Sequence, residues 1–405
     1  MHDHGRRFGR VLAVSEDAFV VSEHGAHAGT LHHLPRVAAD PSISTGDLVQ
    51  FHPRGEPGRA AAGRAEGAGG ELTASLIERV ARGPGQWPPD KGQPGADLAR
   101  FDGTRWERLR RRAALVRATR AWFEQQGFLE VETPILVPSA GTETHLDPVA
   151  VTLHPEPGAG PEARWLITSP EYAMKRLLAG GAGPIWQLTK VFRDGERGRN
   201  HRPEFSILEW YRPFVAGYEV LMADCESLVR ALNGGDRLRW RGADYDLSPP
   251  WPRLRFFDLL RERADIAHPE DLDVEQWLAA LVDRVEPTLG AERPEFLIEW
   301  PAAMASLARR KASDPRVAER FELYLGRLEL ANAFAELTDA TEQRARCLAE
   351  NDERRRANKP EMPIDEDFLG ALEAGLPPSA GIAVGFDRLV MVLSDAATID
   401  DVLAF

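Results

Sequence analysis

The sequence predicts an α+β protein in two parts: a small all-β unit near the N-terminus, then a larger unit in which helical and extended segments mix. Three observations carry this. Residues 1–80 break into five short β-type runs separated by turn residues. Stretches dense in Gly, Ala and Pro interrupt or follow them, at 54–70 and 83–103. From Trp106 onward apolar residues recur at helical spacing, and that helix feeds an extended segment. The length agrees, since 405 residues suffice for two or three domains with a substantial core.

Bulk composition narrows the class. With 43% hydrophobic and 28% charged residues the chain is an ordinary globular one, neither disordered nor membrane-embedded. The net charge of −13 repels nucleic acid and anionic lipid as a whole, so a nucleic-acid partner would need a local basic patch. Cys225 and Cys347 stand far apart without a CxxC, which argues against a disulfide framework or zinc knuckle and for a reducing, cytoplasmic compartment. The first ten residues lack the apolar core of a signal peptide, and no stretch holds 18 apolar residues, so neither secretion nor a membrane span is expected.

The five β-type runs lie at 10–14, 18–21, 29–31, 47–51 and 72–80. Short strands with such punctuation predict an OB-like barrel over residues 1–80. That segment carries eight Arg and no Lys against ten acidic residues, which supplies no phosphate-binding stripe. Seven of the eleven His fall here, including His32-His33, but without metal-ligand spacing, so they are expected at the surface. Residues 81–104 read as a flexible linker and 105–405 as a second domain.

In the second domain a helix beginning near Trp106 leads into a strand over 128–137 (FLEVETPILV). Two apolar strands, 185–192 and 205–211, then flank a twelve-residue loop, 193–204 (RDGERGRNHRPE). Hairpin loops usually run two to five residues, so a loop this long carrying Arg193, Arg197, Arg199 and Arg202 reads either as a solvated charged turn or as a site for a polyanion such as ATP. On the following strand Phe205, Ile207, Glu209 and Tyr211 share a face, because side chains alternate with a period of two. If that face is enclosed, Glu209 requires an internal partner or a cationic ligand such as an ammonium group. Helical patterns follow at 218–232 and 256–285, the latter with a loop near 267–270.

The segment 328–337 (LELANAFAEL) reads as a hairpin turning at Asn332-Ala333, which sets Glu329 opposite Glu336. Facing carboxylates repel, and a Mg²⁺ ion or a ligand amine would relieve them. An i, i+7 pair on an exposed helix face is the alternative. In 381–393 (GIAVGFDRLVMVL) a small-residue strand ends at Gly385 and Asp387 is placed to cap the next helix. Arg388 then falls in the first turn, where it opposes the helix dipole by roughly 0.3 to 1 kcal/mol unless a bound phosphate reverses the balance.

In this order the three constellations resemble the signature motifs of class II aminoacyl-tRNA synthetases. Motif 1 resembles the helix and strand ending at Pro134, motif 2 runs from Phe192-Arg193 to Glu204, and motif 3 is Gly385-Phe-Asp-Arg388. The likeness covers about residues 105–405 and is strongest to the lysine branch, through 169–176 (SPEYAMKR), 203–205 (PEF) and 329–332 (ELAN). Within it, 208–213 (LEWYRP), 306–308 (SLA), 316–322 (RVAERFE) and Ala383 resemble the elongation factor P lysine ligases, which attach (R)-β-lysine to a lysine side chain of that factor. Synthetases commonly carry Gly where Ala383 stands, and one methyl group can disfavour a positional isomer of the amine by around 1 to 3 kcal/mol.

The resemblance implies a catalytic domain with an antiparallel sheet flanked by helices, a homodimer, use of ATP and Mg²⁺, lysine or β-lysine as substrate and elongation factor P as acceptor. Neither tRNA nor a membrane is implied as a partner. It gives Arg193 to the α-phosphate and Arg388 to the ATP tail or adenine face, with Asp194, Gly195, Glu196 and Arg202 completing the motif 2 contacts. Glu329, Leu330 and Gly385 fall beside the nucleotide, and Glu329 with Glu336 falls to Mg²⁺. Ser169, Pro170 and Glu171 close over the amino acid, Asn332, Glu336 and Ala383 line its pocket, and Glu209 and Tyr211 hold its distal ammonium. Three features depart from the pattern: the barrel, Gly195 where many relatives have Glu, and Arg202 where Asn usually precedes Pro-Glu-Phe. Two rival readings are a short lysyl-tRNA synthetase and a non-catalytic lysine- or ATP-binding regulator, the latter opposed by retention of both motif arginines.

Overall fold

The computed structural model describes residues 7–15, 18–24, 31–35, 43–45, 47–54, 73–81, 98, 101, 103–155 and 160–405. The chain divides into two compact units, Met1–Arg111 with Ala404–Phe405, and Arg112–Leu403. Most of the Gly-rich stretch at 54–70 and of the segment expected to be a linker, 81–104, lies outside the described residues.

In the first unit β1 (Arg7–Val14), β2 (Ala18–Glu23), β3 (Leu31–Pro35), β4 (Leu48–Arg54) and β5 (Thr73–Ala81) form one antiparallel sheet in the order β3-β2-β1-β4-β5. Register shifts in β1 and β4 add the local bending that curls it into an OB-like barrel. Val11, Phe19, Val21, Leu34, Ile43, Val49 and Phe51 fill its core. His32 overturns the surface expectation: alternation along β3 turns it inward with Leu34, where its Nε2 lies 2.6 Å from the buried Glu23 carboxylate, while His33 is exposed.

Helix α1 (Gly103–Gln125) runs from Thr104 on without Gly or Pro, and its residues from Arg112 onward open the second unit. It ends at Gly127, φ +75°, where the Phe128 amide reaches back to the Phe123 carbonyl at 3.0 Å. The strand expected over 128–137 is instead two short pieces, β6 (Leu129–Glu130) and β7 (Leu136–Val137), because Pro134 has no amide to offer a ladder. β7 joins β8 (Ala150–Leu153) and β9 (Glu162–Leu166) in a small sheet. Next come α2 (Glu171–Ala179), β10 (Ile185–Phe192), β11 (Glu204–Pro213), α3 (Glu219–Asn233), β12 (Arg237–Trp240) and β13 (Ala243–Asp246). Then follow β14 (Arg253–Arg255), α4 (Phe256–Ala264), α5 (Val274–Ala280), β15 (Glu295–Ile298), β16 (Arg320–Leu325) and β17 (Leu328–Ala335). The unit finishes with α6 (Ala340–Arg356), α7 (Glu366–Gly375), β18 (Ser379–Gly385) and α8 (Phe386–Leu393).

Eight of these strands form the main sheet, in the order β14-β15-β16-β17-β18-β11-β10-β6, antiparallel except at its two edge pairs. One face carries Trp186, Leu208, Trp210, Phe321, Ala333, Ile382 and Val384, packed with Phe123 of α1, Leu228 of α3 and Leu389 of α8. Each such large side chain contributes about 1.5–3 kcal/mol on burial, which makes this layer a stiff platform. The opposite face carries the polar residues.

The hairpin expected at Asn332-Ala333 does not form. β17 runs unbroken between β16 and β18, and the turn lies earlier, at Gly326-Arg327, with φ of +61° and +64° and Leu325 paired to Leu328. That is the two-residue turn in which both central residues take positive φ; Gly326 adopts it freely and Ala333 would not. Glu329 and Glu336 therefore sit at opposite ends of one strand, roughly 20 Å apart at about 3.3 Å per residue. Asp387 does not cap α8 either: Gly385 is the N-cap, and Asp387 is buried, accepting the Ser206 amide at 2.8 Å and lying 2.6 Å from Arg112.

Candidate active site

Strand register assembles the site. Gln187, Glu209, Ala383, Asn332 and Glu322 align as one row across five strands, and Ile185, Tyr211, Gly381, Phe334 and Arg320 form the next row on the same face. The sequence-predicted residues Glu209, Tyr211, Ala383 and Asn332 are thereby neighbours despite spanning 174 positions, from 209 to 383. The methyl group of Ala383 lies directly between Glu209 and Asn332 in the ladder.

Glu209 is 1% exposed. Its carboxylate accepts the Tyr211 hydroxyl at 2.7 Å and the Ser169 hydroxyl at 2.9 Å. Among the described residues no Lys or Arg lies within ion-pair distance of it. Burial, reinforced by the negative charge of Glu171, pushes its pKa up from the ordinary 4.5 to about 8. Next to it, Lys175 of α2 bridges two carboxylates, Glu171 at 2.5 Å and Glu336 at 2.6 Å. Burial raises Glu336 to about 7, with the Lys175 ammonium pulling the other way. The enclosed group thus contains Glu171, Glu209 and Glu336 against Lys175, an excess of carboxylate that favours a cationic guest. Gly381 keeps the arrangement possible, because a Cβ there would overlap both the Tyr211 ring and the Glu336 carboxylate. Asn332 is oriented by Arg320, whose Nε donates to Oδ1 at 3.1 Å.

The other end of the site lies where β10, β11 and α8 meet. Arg193 opens the β10–β11 loop, lies 5.1 Å over the Phe205 ring, donates to the Thr168 carbonyl at 3.4 Å and pairs with Glu196 at 3.4 Å. Asp194 and Gly195 make the turn that follows, with Gly195 at φ +80° and its amide donating to the Asp194 carboxylate at 2.9 Å. Arg388 donates to the Glu329 carbonyl at 2.8 Å and to its carboxylate at 3.4 Å. Its second nitrogen lies 2.5 Å from His201 Nε2. Arginine can only donate, so His201 accepts on Nε2 and is neutral. Burial lowers the His201 pKa, and the positive fields of Arg388 and Arg193 lower it further, so both guanidinium groups bear on this one imidazole.

Residues 99–405 match the family model for class II tRNA synthetases (D, K and N). Proteins called elongation factor P–(R)-β-lysine ligase align closely. That of Proteus mirabilis (strain HI4320) is 42% identical over 323 residues, covering 77% of this chain and 96% of the relative. That of Haemophilus influenzae (strain PittGG) is 40% identical over 321 residues with the same coverage. That of Klebsiella pneumoniae (strain 342) is 43% identical over 307 residues, covering 73% and 94%. The chain belongs to the class II synthetase family, in its elongation factor P–(R)-β-lysine ligase group. The family match starts at residue 99, so the OB-like barrel lies outside it.

Several residues of this class II ligase stand apart from their expected places. Arg202 donates to the Gly198 and His201 carbonyls at 2.6 and 2.7 Å and pairs with Asp400, so it braces the loop. Leu330 is the extra residue of a bulge in β17 and is buried in the main core, not set along a nucleotide pocket. Glu329 and Glu336, at opposite ends of β17, do not fit one shared Mg²⁺. Among the described residues no group of three or more His, Cys, Asp or Glu is placed to hold a metal ion.

Sequence reading missed His201, Arg320, Lys175 and Glu143. His201 had a signal, since it sits in the Arg-rich loop just before Arg202-Pro203-Glu204. Lys175 was visible as the i, i+4 partner of Glu171. Glu143 lies in a loop with no periodicity, and only the fold places it in the cleft beside Thr168, Ser169 and Glu171.

Proposed function

We propose that the protein activates (R)-β-lysine, or lysine, with ATP and transfers it to a lysine side chain of elongation factor P. The observation that carries this reading is Glu209: a buried carboxylate held by two neutral hydroxyls, with no Lys or Arg within ion-pair distance among the described residues, while Glu171 and Glu336 already share Lys175. A ligand ammonium completes it.

Activation joins a substrate carboxylate to the α-phosphorus of ATP and expels pyrophosphate. No proton has to be removed, so the protein positions the two reactants and neutralises charge. Arg193, fixed by Thr168, Phe205 and Glu196, meets the α-phosphate. Arg388, fixed by Glu329 and His201, meets the remainder of the nucleotide. Ser169 and Glu171 close over the reacting end of the amino acid while Glu209 and Tyr211 hold its distal ammonium. The family accompanies ATP with Mg²⁺, which would offset phosphate charge, and Glu329, paired with Arg388, would be the carboxylate that meets it. The adenylate is then attacked by the acceptor's amine, giving an amide and AMP. We further assign the catalytic work to residues 105–405 as a homodimer in the cytoplasm, with the barrel over 1–80 as an accessory domain beyond a linker at 81–104.

The test is ATP–pyrophosphate exchange with lysine, (R)-β-lysine and monoamino acids, followed by addition of unmodified elongation factor P or tRNA. The expected result is exchange with diamino acids and modification of the factor. Charging of tRNA with the factor left unmodified would select the synthetase reading, and absence of exchange the regulator.

A further inference from the structure

Amide formation poses a problem that activation does not: the acceptor lysine arrives as an ammonium ion, and only its neutral amine is a nucleophile. A base is needed near the adenylate carbonyl, and none of Glu171, Glu209 and Glu336 is suitable, since each faces Lys175 or a substrate ammonium. Glu143 is different. It lines a cleft with apolar walls, Pro134, Val137, Ala140, Pro170 and Tyr172 among them, that opens beside Thr168 and Ser169. Thr168 and Ser169 are the residues that hold Arg193 and Glu209. The four-carbon stem of a lysine suits such walls, with its nitrogen carried inward.

We propose that Glu143 is the catalytic base of the transfer step, taking a proton from the acceptor lysine's ammonium so that the neutral amine attacks the adenylate carbonyl, and that this cleft admits the acceptor side chain. The C–N bond forms, the carbonyl carbon–phosphate oxygen bond breaks, AMP leaves with that oxygen and its electron pair, the second proton on nitrogen passes to the departing phosphate or to water, and Glu143 later returns its own proton to water. This rests on the function proposed above.

Three features support the assignment. Among the described residues Glu143 has no cation within ion-pair distance, and its nearest hydrogen-bonding partner is the Ser306 hydroxyl at 3.4 Å. Its loop is held rigidly: buried Arg354 of α6 donates to the Glu143 and Leu146 carbonyls at 2.9 and 3.0 Å, Lys359 to the Thr144 carbonyl at 2.9 Å, and the Asp194 amide to the Asp147 carbonyl at 2.7 Å. Finally, burial and the negative charges of Glu171 on α2 and Glu350 on α6 raise its pKa from the ordinary 4.5 to about 7, opposed by Arg193 and by the Ser306 hydrogen bond. Tyr172 faces it from α2 and is neutral, its own pKa driven up by burial. A carboxylate so tuned accepts a proton near neutral pH.

The experiment uses the full chain as wild type, Glu143→Gln and Glu143→Asp. It measures pyrophosphate exchange with (R)-β-lysine, transfer from preformed adenylate to unmodified elongation factor P across pH, and capture of the adenylate by hydroxylamine, which is already unprotonated at neutral pH. Expected for Glu143→Gln is a fall in transfer of about 10² to 10⁴-fold. The acid limb of the transfer profile is lost, hydroxylamine capture persists, exchange changes far less, and Glu143→Asp recovers part of the rate. Transfer equal to wild type overturns the proposal, as does a parallel fall in exchange and transfer, which would place Glu143 on the amino acid being activated. Wild type that charges tRNA and leaves the factor untouched refutes the function itself, and the amine-acceptor role with it.

Discussion

Replacing Glu209 by Gln keeps the shape and the capacity to accept from Tyr211 and Ser169 but deletes the charge. Moving the carboxyl from 4.5 to about 8 makes its ionised form roughly 5 kcal/mol more costly in the empty site than in water, at about 1.4 kcal/mol per tenfold in acidity. At pH 7 only about one-tenth of the unliganded protein carries the charge, so an incoming ammonium must draw off close to one proton. Gln leaves that ammonium without its buried counter-charge, a loss of about 3–5 kcal/mol, or roughly 10² to 10⁴-fold in KM for the diamino acid. The same change stabilises the empty fold. Because the folded-state value lies above the unfolded one, the folded wild type holds an extra proton between about 4.5 and 8, and stability declines as pH rises through 8. The variant lacks that decline. Pyrophosphate exchange against diamino acid concentration gives KM, calorimetry in buffers of different ionisation enthalpy gives proton release, and thermal melts from pH 5 to 9 give stability. A KM within threefold of wild type, or binding without proton release at pH 7, would refute the reasoning.

Other outcomes follow from the same geometry. Gly381→Ala drives a methyl group into Tyr211 and Glu336, so a loss of about 1–3 kcal/mol in thermal or urea unfolding is expected, together with impaired exchange. Arg388→Lys keeps the charge but loses the fork that joins the Glu329 carbonyl to His201, and exchange should fall about 10²-fold, chiefly through ATP. Arg202→Asn, by contrast, removes a brace on the loop, so it should lower thermal stability while the KM for ATP stays within about threefold. Ala383→Gly enlarges the pocket between Glu209 and Asn332; the ratio of kcat/KM for (R)-β-lysine over lysine should move by about 10-fold, measured by competition.

Much of this was legible before any fold was known, and the boundary is physical. Strong β alternation in 205–211 put Glu209 and Tyr211 on one face, and register then carried that face across to Ala383 and Asn332. The long Arg loop between two apolar runs marked the segment that brings His201 to Arg388. Local patterns failed where long-range pairing decides. The alternating LELANAFA suits a strand flanked on both sides as well as a hairpin arm, and only Gly326-Arg327 with positive φ reveals the true turn. Asp387 sits where a cap is common, yet Ser206 and Arg112, distant in sequence, claim its carboxylate. His32 was read by composition when strand parity governs it. Glu143 lies in an aperiodic loop whose position depends on Arg354, two hundred residues away.

Direct mass measurement of unmodified elongation factor P after incubation with the full chain, ATP and (R)-β-lysine tests the central claim. The account predicts one β-lysyl addition on a single lysine, dependent on Glu209 and Arg193. An unmodified factor alongside lysine esterified to tRNA would contradict it.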